Sequence, residues 1–289
     1  MTFFRSAALP GWFVLALLIL SSNAQNLGIS RPRFGRSYDI TSPYAIEEQE
    51  MMQKALTPGF EEDSFTFARL KFDTDMGGRY GRGRRGWQDD APEADLSLTY
   101  RLFQVTTFKI HPGLNYVDIT PKELAKYPFV YVAGAGAMAF SDADAGLMRR
   151  YLLNGGFMMA DDFWGDEAWT HFYAEMKRIF PDREPVELTV DHPIFHSVYP
   201  FAKEPQIPSV PYFWRQTSYD PADYFTKDHS PHFYAIFDDK NRMMALICHN
   251  NHFGDGWEHE SENEDYFKMY SEPMGYPMFI NILEYTMTH

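Results

Sequence analysis

Three short segments hold the side chains of this chain that could do chemistry. Gly134-Ala135-Gly136 offers backbone N–H groups with no side chain in the way, which suits it to receive a ligand oxygen. Asp161-Asp162 sets two carboxylates side by side, and each raises the other's pKa, as a proton donor requires. His249-Asn250-Asn251-His252 supplies two imidazoles and two amides. The reading that follows takes Asp161 or Asp162 with His249 as an acid/base pair. Gly134, Gly136, Trp164, His192, Asn251 and Trp257 are the candidates for holding a ligand. Asp161, Asp162, His192, His196, His249 and His252 are also donor types that suit Zn²⁺ or a similar ion. Their spacing argues against it, because Pro193 disfavours a helix that would put His192 and His196 on one face, and no His-Glu pair of metal spacing occurs. The expectation is therefore no metal and no cofactor. The single cysteine, Cys248, ends an apolar run and is expected to be buried, protonated and inert.

The elements that must position these groups alternate between strand and helix. Residues 65–72 alternate as a strand, and a shorter one is expected at 116–119. Residues 129–133 and 157–160 are apolar throughout, as strands covered on both faces are. Between them, Ser141 and Asp144 form a capping pair for a helix that runs to Leu153 and stops at Asn154-Gly155-Gly156. Asp90 is placed to cap a helix with Pro92 in its first turn and with Ala94, Leu98, Leu102 and Val105 on one face. Asp166 is placed to cap another, whose core face is Trp169, Tyr173, Met176 and Ile179. Two late runs, 233–237 and 243–247, flank Asp238-Asp239-Lys240-Asn241 as a hairpin, and a final helix is expected over 277–286. Residues 255–258 read as a loop with one buried indole. The sum is an α/β domain with three layers, a mostly parallel sheet covered by helices on both faces. In such a sheet, ligands bind where the strands end at their carboxyl edge. Gly134, Gly136, Asp161, Asp162 and His249 should converge there.

Gly155-Gly156-Phe157-Met158-Met159-Ala160-Asp161-Asp162-Phe163-Trp164-Gly165 is preceded by Tyr127-Pro128-Phe129-Val130-Tyr131 and followed by Phe180-Pro181 and Asp191-His192-Pro193-Ile194-Phe195-His196. In this order the motifs resemble those of the bacterial domain-of-unknown-function family 4159, from about residue 65 onward. The resemblance implies a flavodoxin-like fold similar to the class I glutamine amidotransferases, and it implies no activity. Those enzymes place a cysteine after a strand and a glutamate two residues beyond a late histidine. Here an aspartate, Asp161 or Asp162, falls at the cysteine's place and Asn251 at the glutamate's. A carboxylate attacks an amide poorly, so glutaminase chemistry is not expected.

The first 24 residues read as a cleavable export signal, with Arg5, an apolar run over 12–20, and Ser22 and Ala24 before a cut that would leave Gln25 first. The apolar run is shorter than the ~20 residues that span a bilayer, so no stable membrane insertion is expected. Residues 25–60 read as an arm and 61–289 as the domain. Four arginines, Arg79, Arg82, Arg84 and Arg85, lie in a glycine-rich loop that reads as solvated. The formal charge of −14 becomes −15 when Arg5 leaves with the signal, which argues against a nucleic-acid partner. These features together suggest an exported, periplasmic or extracellular binding module for a small polar ligand, a sugar or a peptide of an envelope partner. A hydrolase is the alternative.

Overall fold

Five strands of the main sheet run parallel, and burial explains the composition of the central ones. The computed structural model describes residues 41–74, 86–215 and 228–289. The segment expected to be an export signal and the four-arginine loop lie outside the described residues. The main sheet has seven strands. These are β1 (Arg69–Leu70), β3 (Tyr116–Val117), β4 (Phe129–Val132), β6 (Phe157–Phe163), β7 (Val186–Leu188), β8 (His232–Phe237) and β9 (Met243–His249), in the order β3-β1-β4-β6-β9-β8-β7. β3, β1, β4, β6 and β9 run parallel, while β8 is antiparallel to both β9 and β7. β2 (Asp73–Thr74) and β5 (Met138–Ala139) form a separate antiparallel pair. Every residue of β4, β6 and β9 is buried, as strands covered on both sides must be.

Helices cover both faces. One core gathers Phe67, Tyr131, Met159, Leu246 and Cys248 under α2 (Glu93–Val105), α5 (Phe253–Glu258) and α6 (Tyr276–Thr288). The other gathers Val130, Val132, Met158, Ala160 and Ile247 under α3 (Asp142–Leu153) and α4 (Gly165–Ile179). Successive residues of a strand point to opposite faces, so the two cores take alternate positions of the same strands. The α/β class, the mostly parallel sheet and the late hairpin are as the sequence predicts.

Local differences have physical reasons. The first predicted strand, 65–72, is cut to Arg69–Leu70 plus an isolated bridge between Phe65 and Ile110. The stretch before it is not all irregular. Ser42 accepts a hydrogen bond from Ala45 N–H, Pro43 stands in the first turn, and α1 (Pro43–Ala55) follows, sending Met52 into the core. The capping box of Ser141 and Asp144 forms as expected. Asp166 is not the cap of α4 but stands in its first turn, where its charge complements the helix dipole. The segment read as a loop at 255–258 belongs to helix α5. The final helix is longer than predicted, because a π-helical stretch, Phe267–Gly275, leads straight into it.

Candidate functional site

Two adjacent turns at the carboxyl edge of the sheet hold their backbones in an uncommon conformation. Asp162 has φ 56° and Asn250 has φ 55°, the left-handed region that side chains other than glycine rarely adopt. Asp162 lies within a register shift in the pairing of β6 with β9, between Ala160 and Phe163. The extra residue turns the end of β6 so that two consecutive aspartates are both buried there. A third residue with positive φ, Asp90 at 61°, comes from the turn before α2. It is not the side-chain cap predicted from sequence. Its backbone carbonyl accepts from Ala94 N–H, while its carboxylate turns inward to His252.

His252 is the centre of what gathers here. Its Nε2 lies 3.0 Å from Asp90 Oδ2 and 3.3 Å from Asp255 Oδ1, and its Nδ1 lies 3.4 Å from Asp162 Oδ1. Asp255 stands one helical turn after His252, so both face the same side of α5. The second Asp255 oxygen accepts from Val210 N–H at 2.6 Å. Asp161 adjoins the group from β6, with Oδ2 accepting from Tyr131 Oη–H at 2.8 Å and from Gly254 N–H at 3.1 Å. Gly254 is required, because a Cβ there would lie 1.9 Å from Asp90 Oδ2. All five charged side chains are buried.

Burial and mutual charge pull their proton affinities apart. Burial opposes a charge on His252, but Asp162, Asp255 and Asp90 together overcome it and hold the imidazole pKa well above the ordinary value. Asp90 sits below the usual carboxylate range, because His252 and Arg69 outweigh its burial. Burial raises Asp255, and Asp90 beside it adds to the rise. Burial also lifts Asp161, to about 6. Asp89, at the half-buried rim, is raised by burial and by Asp162 and Asp90.

A buried arginine fixes the turn that brings Asp89 and Asp90 in. Arg69 is fully enclosed, pairs with Asp95 through Nε at 3.1 Å, and donates from Nη1 to the carbonyls of Trp87 and Asp89 at 3.1 and 2.6 Å. Its guanidinium also lies 5.1 Å from the centre of the Tyr131 ring. Asp95 is the ion-pair partner of this guanidinium, whose charge also reaches Asp90.

The residues expected from sequence are not all in this group. Asp161 and Asp162 are. His249 emerges on the opposite face of the sheet, where its ring packs on Phe163 at 5.1 Å and Trp169 at 5.2 Å and its Nε2–H donates to the Gly165 carbonyl at 3.1 Å. Burial lowers its pKa to about 4, and the charged groups it senses are His232 and Asp228. The imidazole beside the aspartates is therefore His252. Gly134 and Gly136 are buried and tightly packed. A Cβ on Gly134 would lie 3.0 Å from the Gly86 carbonyl oxygen, and one on Gly136 would lie 2.8 Å from both Phe163 and Ala168. Close packing thus accounts for both glycines. Asn251 accepts from Ile207 N–H and donates to the Pro205 carbonyl, which ties the 205–207 loop to the sheet edge. Trp164 and Trp257 are both buried, Trp257 among Phe67, Tyr131 and Phe279.

His192 lies at the other end of the molecule. Its ring packs on Phe237, which pairs with Met243 at the start of β9, and on Tyr285, while Nδ1 accepts from Ile194 N–H. A groove of about 470 Å³ also opens away from the cluster, lined by Leu124, Tyr127, Pro128, Arg150 and Tyr151 before β4 and β6. Arg150 is its only formally charged side chain. Cys248 is buried in the core beside Asp161, and burial together with that charge keeps its thiol protonated.

The profile of a protein family described as a domain of unknown function, DUF4159, matches residues 66–287. No curated protein matches the chain.

Proposed function

From the premise that this chain belongs to the DUF4159 family, whose description names no activity, we propose that the protein is an exported binding module. In this reading it takes a small polar ligand, a sugar or a peptide of an envelope partner, over the aspartate–histidine cluster. The observation that carries the reading is the convergence of Asp90, Asp161, Asp162, His252 and Asp255 at the carboxyl edge of a parallel sheet. That edge is where open α/β sheets take ligands. Carboxylates in excess of positive charge favour hydroxyl or ammonium groups, which donate hydrogen bonds to them. The likeness to the class I glutamine amidotransferases belongs to the same proposal, with Asp161 or Asp162 at the place of the nucleophilic cysteine. Export rests on the pattern of Arg5, the apolar run and Ala24.

Binding ranks ahead of catalysis because no good nucleophile stands among the described cluster residues. The Cys248 thiol and the Tyr131 phenol are both held protonated by burial. One observation supports a hydrolase as the second reading. Asp161, lifted to about 6, adjoins Asp162, and Asp162 faces His252, an arrangement suited to moving protons without a covalent step.

A thermal-shift screen of the mature protein against sugars and peptides tests the proposal, since a ligand that binds only the folded state raises Tm. Stabilisation that disappears in both Asp162→Ala and His252→Ala is the expected result. Stabilisation that survives in both variants would move the binding site elsewhere. Export is tested by N-terminal sequencing of the protein from the extracytoplasmic fraction, with Gln25 expected first.

A further inference from the structure

We propose that Asp90, His252 and Asp255 form the binding site of one divalent transition-metal ion, of the Mn²⁺ or Zn²⁺ class. This rests on the reading of the cluster as the functional centre and names what that centre holds. The three side chains present one donor atom each, all within 4.8 Å of one another. Ligands about 2.1 Å from an ion sit about 3.0 Å apart at right angles and about 3.4 Å apart in a tetrahedron. His252 Nε2 is 3.0 Å from Asp90 Oδ2 and 3.3 Å from Asp255 Oδ1. One imidazole with carboxylates suits a transition metal better than Ca²⁺ or Mg²⁺, which take oxygen alone.

The surrounding contacts are those that orient metal ligands. His252 Nδ1 faces Asp162 Oδ1, so with the Nδ1 proton on that side the Nε2 lone pair points toward the two ligating carboxylates. Asp255 is held by Val210 N–H through the oxygen that faces away from His252. Metal-binding histidines and carboxylates are oriented by partners of this kind.

Asp161 supplies an independent observation. Its side chain is fully buried, yet Oδ1 has no hydrogen-bond donor. Its other oxygen is fixed by Tyr131 and by Gly254, where Asp90 leaves no room for a Cβ. A buried acceptor without a donor is costly, and a water on a bound ion would satisfy it. The charge balance points the same way. Asp90, Asp162 and Asp255 surround the His252 imidazole with Asp161 beside them, His259 Nε2 reaches only Asp255 Oδ1, at 3.6 Å, and Arg69 is engaged with Asp95.

The test uses the full mature protein, stripped with a chelator and titrated with MnCl₂ or ZnCl₂ alone by calorimetry, with Tm followed in parallel. One equivalent of ion should bind and raise Tm. Asp255→Asn and His252→Gln should each weaken binding at least about tenfold, and Asp162→Asn should weaken it by about 10–100-fold as an outer partner. His232→Gln, at the surface beside Glu187 and Asp228, should leave binding unchanged. Failure of the folded, stripped wild type to bind either ion overturns the inference whatever the variants do. Undiminished binding in both Asp255→Asn and His252→Gln overturns it as well. If sugars or peptides stabilise the stripped protein while neither ion binds, the metal fails and the binding module stands. If one ion binds and no such ligand does, the metal stands and the binding module fails.

Discussion

Asp161 and His249 stand at the ends of adjacent parallel strands, and their side chains enter opposite faces of the sheet. Ala160 pairs with Ile247, so Asp161 shares its face with Cys248, and His249 shares its face with Phe163. Strand alternation makes this parity unavoidable, and it separates a histidine that packs from one that faces charge. It also makes the two histidines separable by experiment.

His249 should report acid sensitivity rather than ligand binding. Its folded pKa, about 4, lies below the ordinary value for histidine, so the unfolded chain takes up its proton first. Its contribution to stability is therefore complete above about pH 6.5 and is lost as pH falls toward 4, by up to about 3 kcal/mol. Urea denaturation of wild type and His249→Gln should show their stability difference shifting in favour of the variant over that range, with ligand-induced stabilisation unaltered at pH 7. A constant difference across the range would mean that the imidazole is not buried in its neutral form.

Asp161 has the opposite sign. Its folded pKa of about 6 exceeds that of an exposed aspartate, so the native state holds the proton more tightly and stability falls as pH rises from about 4 to 6. In a chelator-containing buffer at pH 8, Asp161→Asn should be more stable than wild type by about 1–3 kcal/mol, and the gain should vanish near pH 4. The same variant should bind ligand more weakly. A loss of stability at pH 8 would show that the ionised carboxylate is compensated.

Arg69 and Asp95 are predicted to be strongly interdependent. Arg69→Met leaves a carboxylate buried without its partner and should cost about 3–5 kcal/mol. Adding Asp95→Leu should recover most of that loss in urea denaturation. The double variant should still bind ligand poorly, because the turn carrying Asp89 and Asp90 loses the two hydrogen bonds that Arg69 gives it.

Gly136→Ala distinguishes packing from recognition. With Phe163 and Ala168 each 2.8 Å from the new Cβ, overpacking should cost about 1–3 kcal/mol. Ligand affinity per folded molecule should stay as in wild type, which calorimetry on the soluble fraction would measure.

Much of the frame was legible in the sequence because it depends on local pattern. The apolar runs at β4 and β6, the Ser141–Asp144 box and the Asp238–Asn241 turn between β8 and β9 each declare themselves within a dozen residues. The site was less legible because it does not. His252 meets Asp90 across 162 residues, and one irregularity after Ala160 decides where Asp162 lies. Asp255 lay in a stretch too rich in glycine to read as helix. Ser42 and Pro43, by contrast, are a visible helix start that the absence of a sustained apolar stripe conceals.

The strand order has a consequence for how the chain comes together. β6 lies between β4, which precedes it, and β9, which is made some eighty residues later and is the last strand of the sheet. Until the β8–β9 hairpin arrives, β6 is an exposed edge, apolar from Phe157 to Ala160, with a row of unpaired backbone groups. Such an edge recruits other chains as readily as its own partner. A chain that stops before Met243 should therefore aggregate rather than fold, and a chain still emerging needs its edge shielded until the hairpin docks.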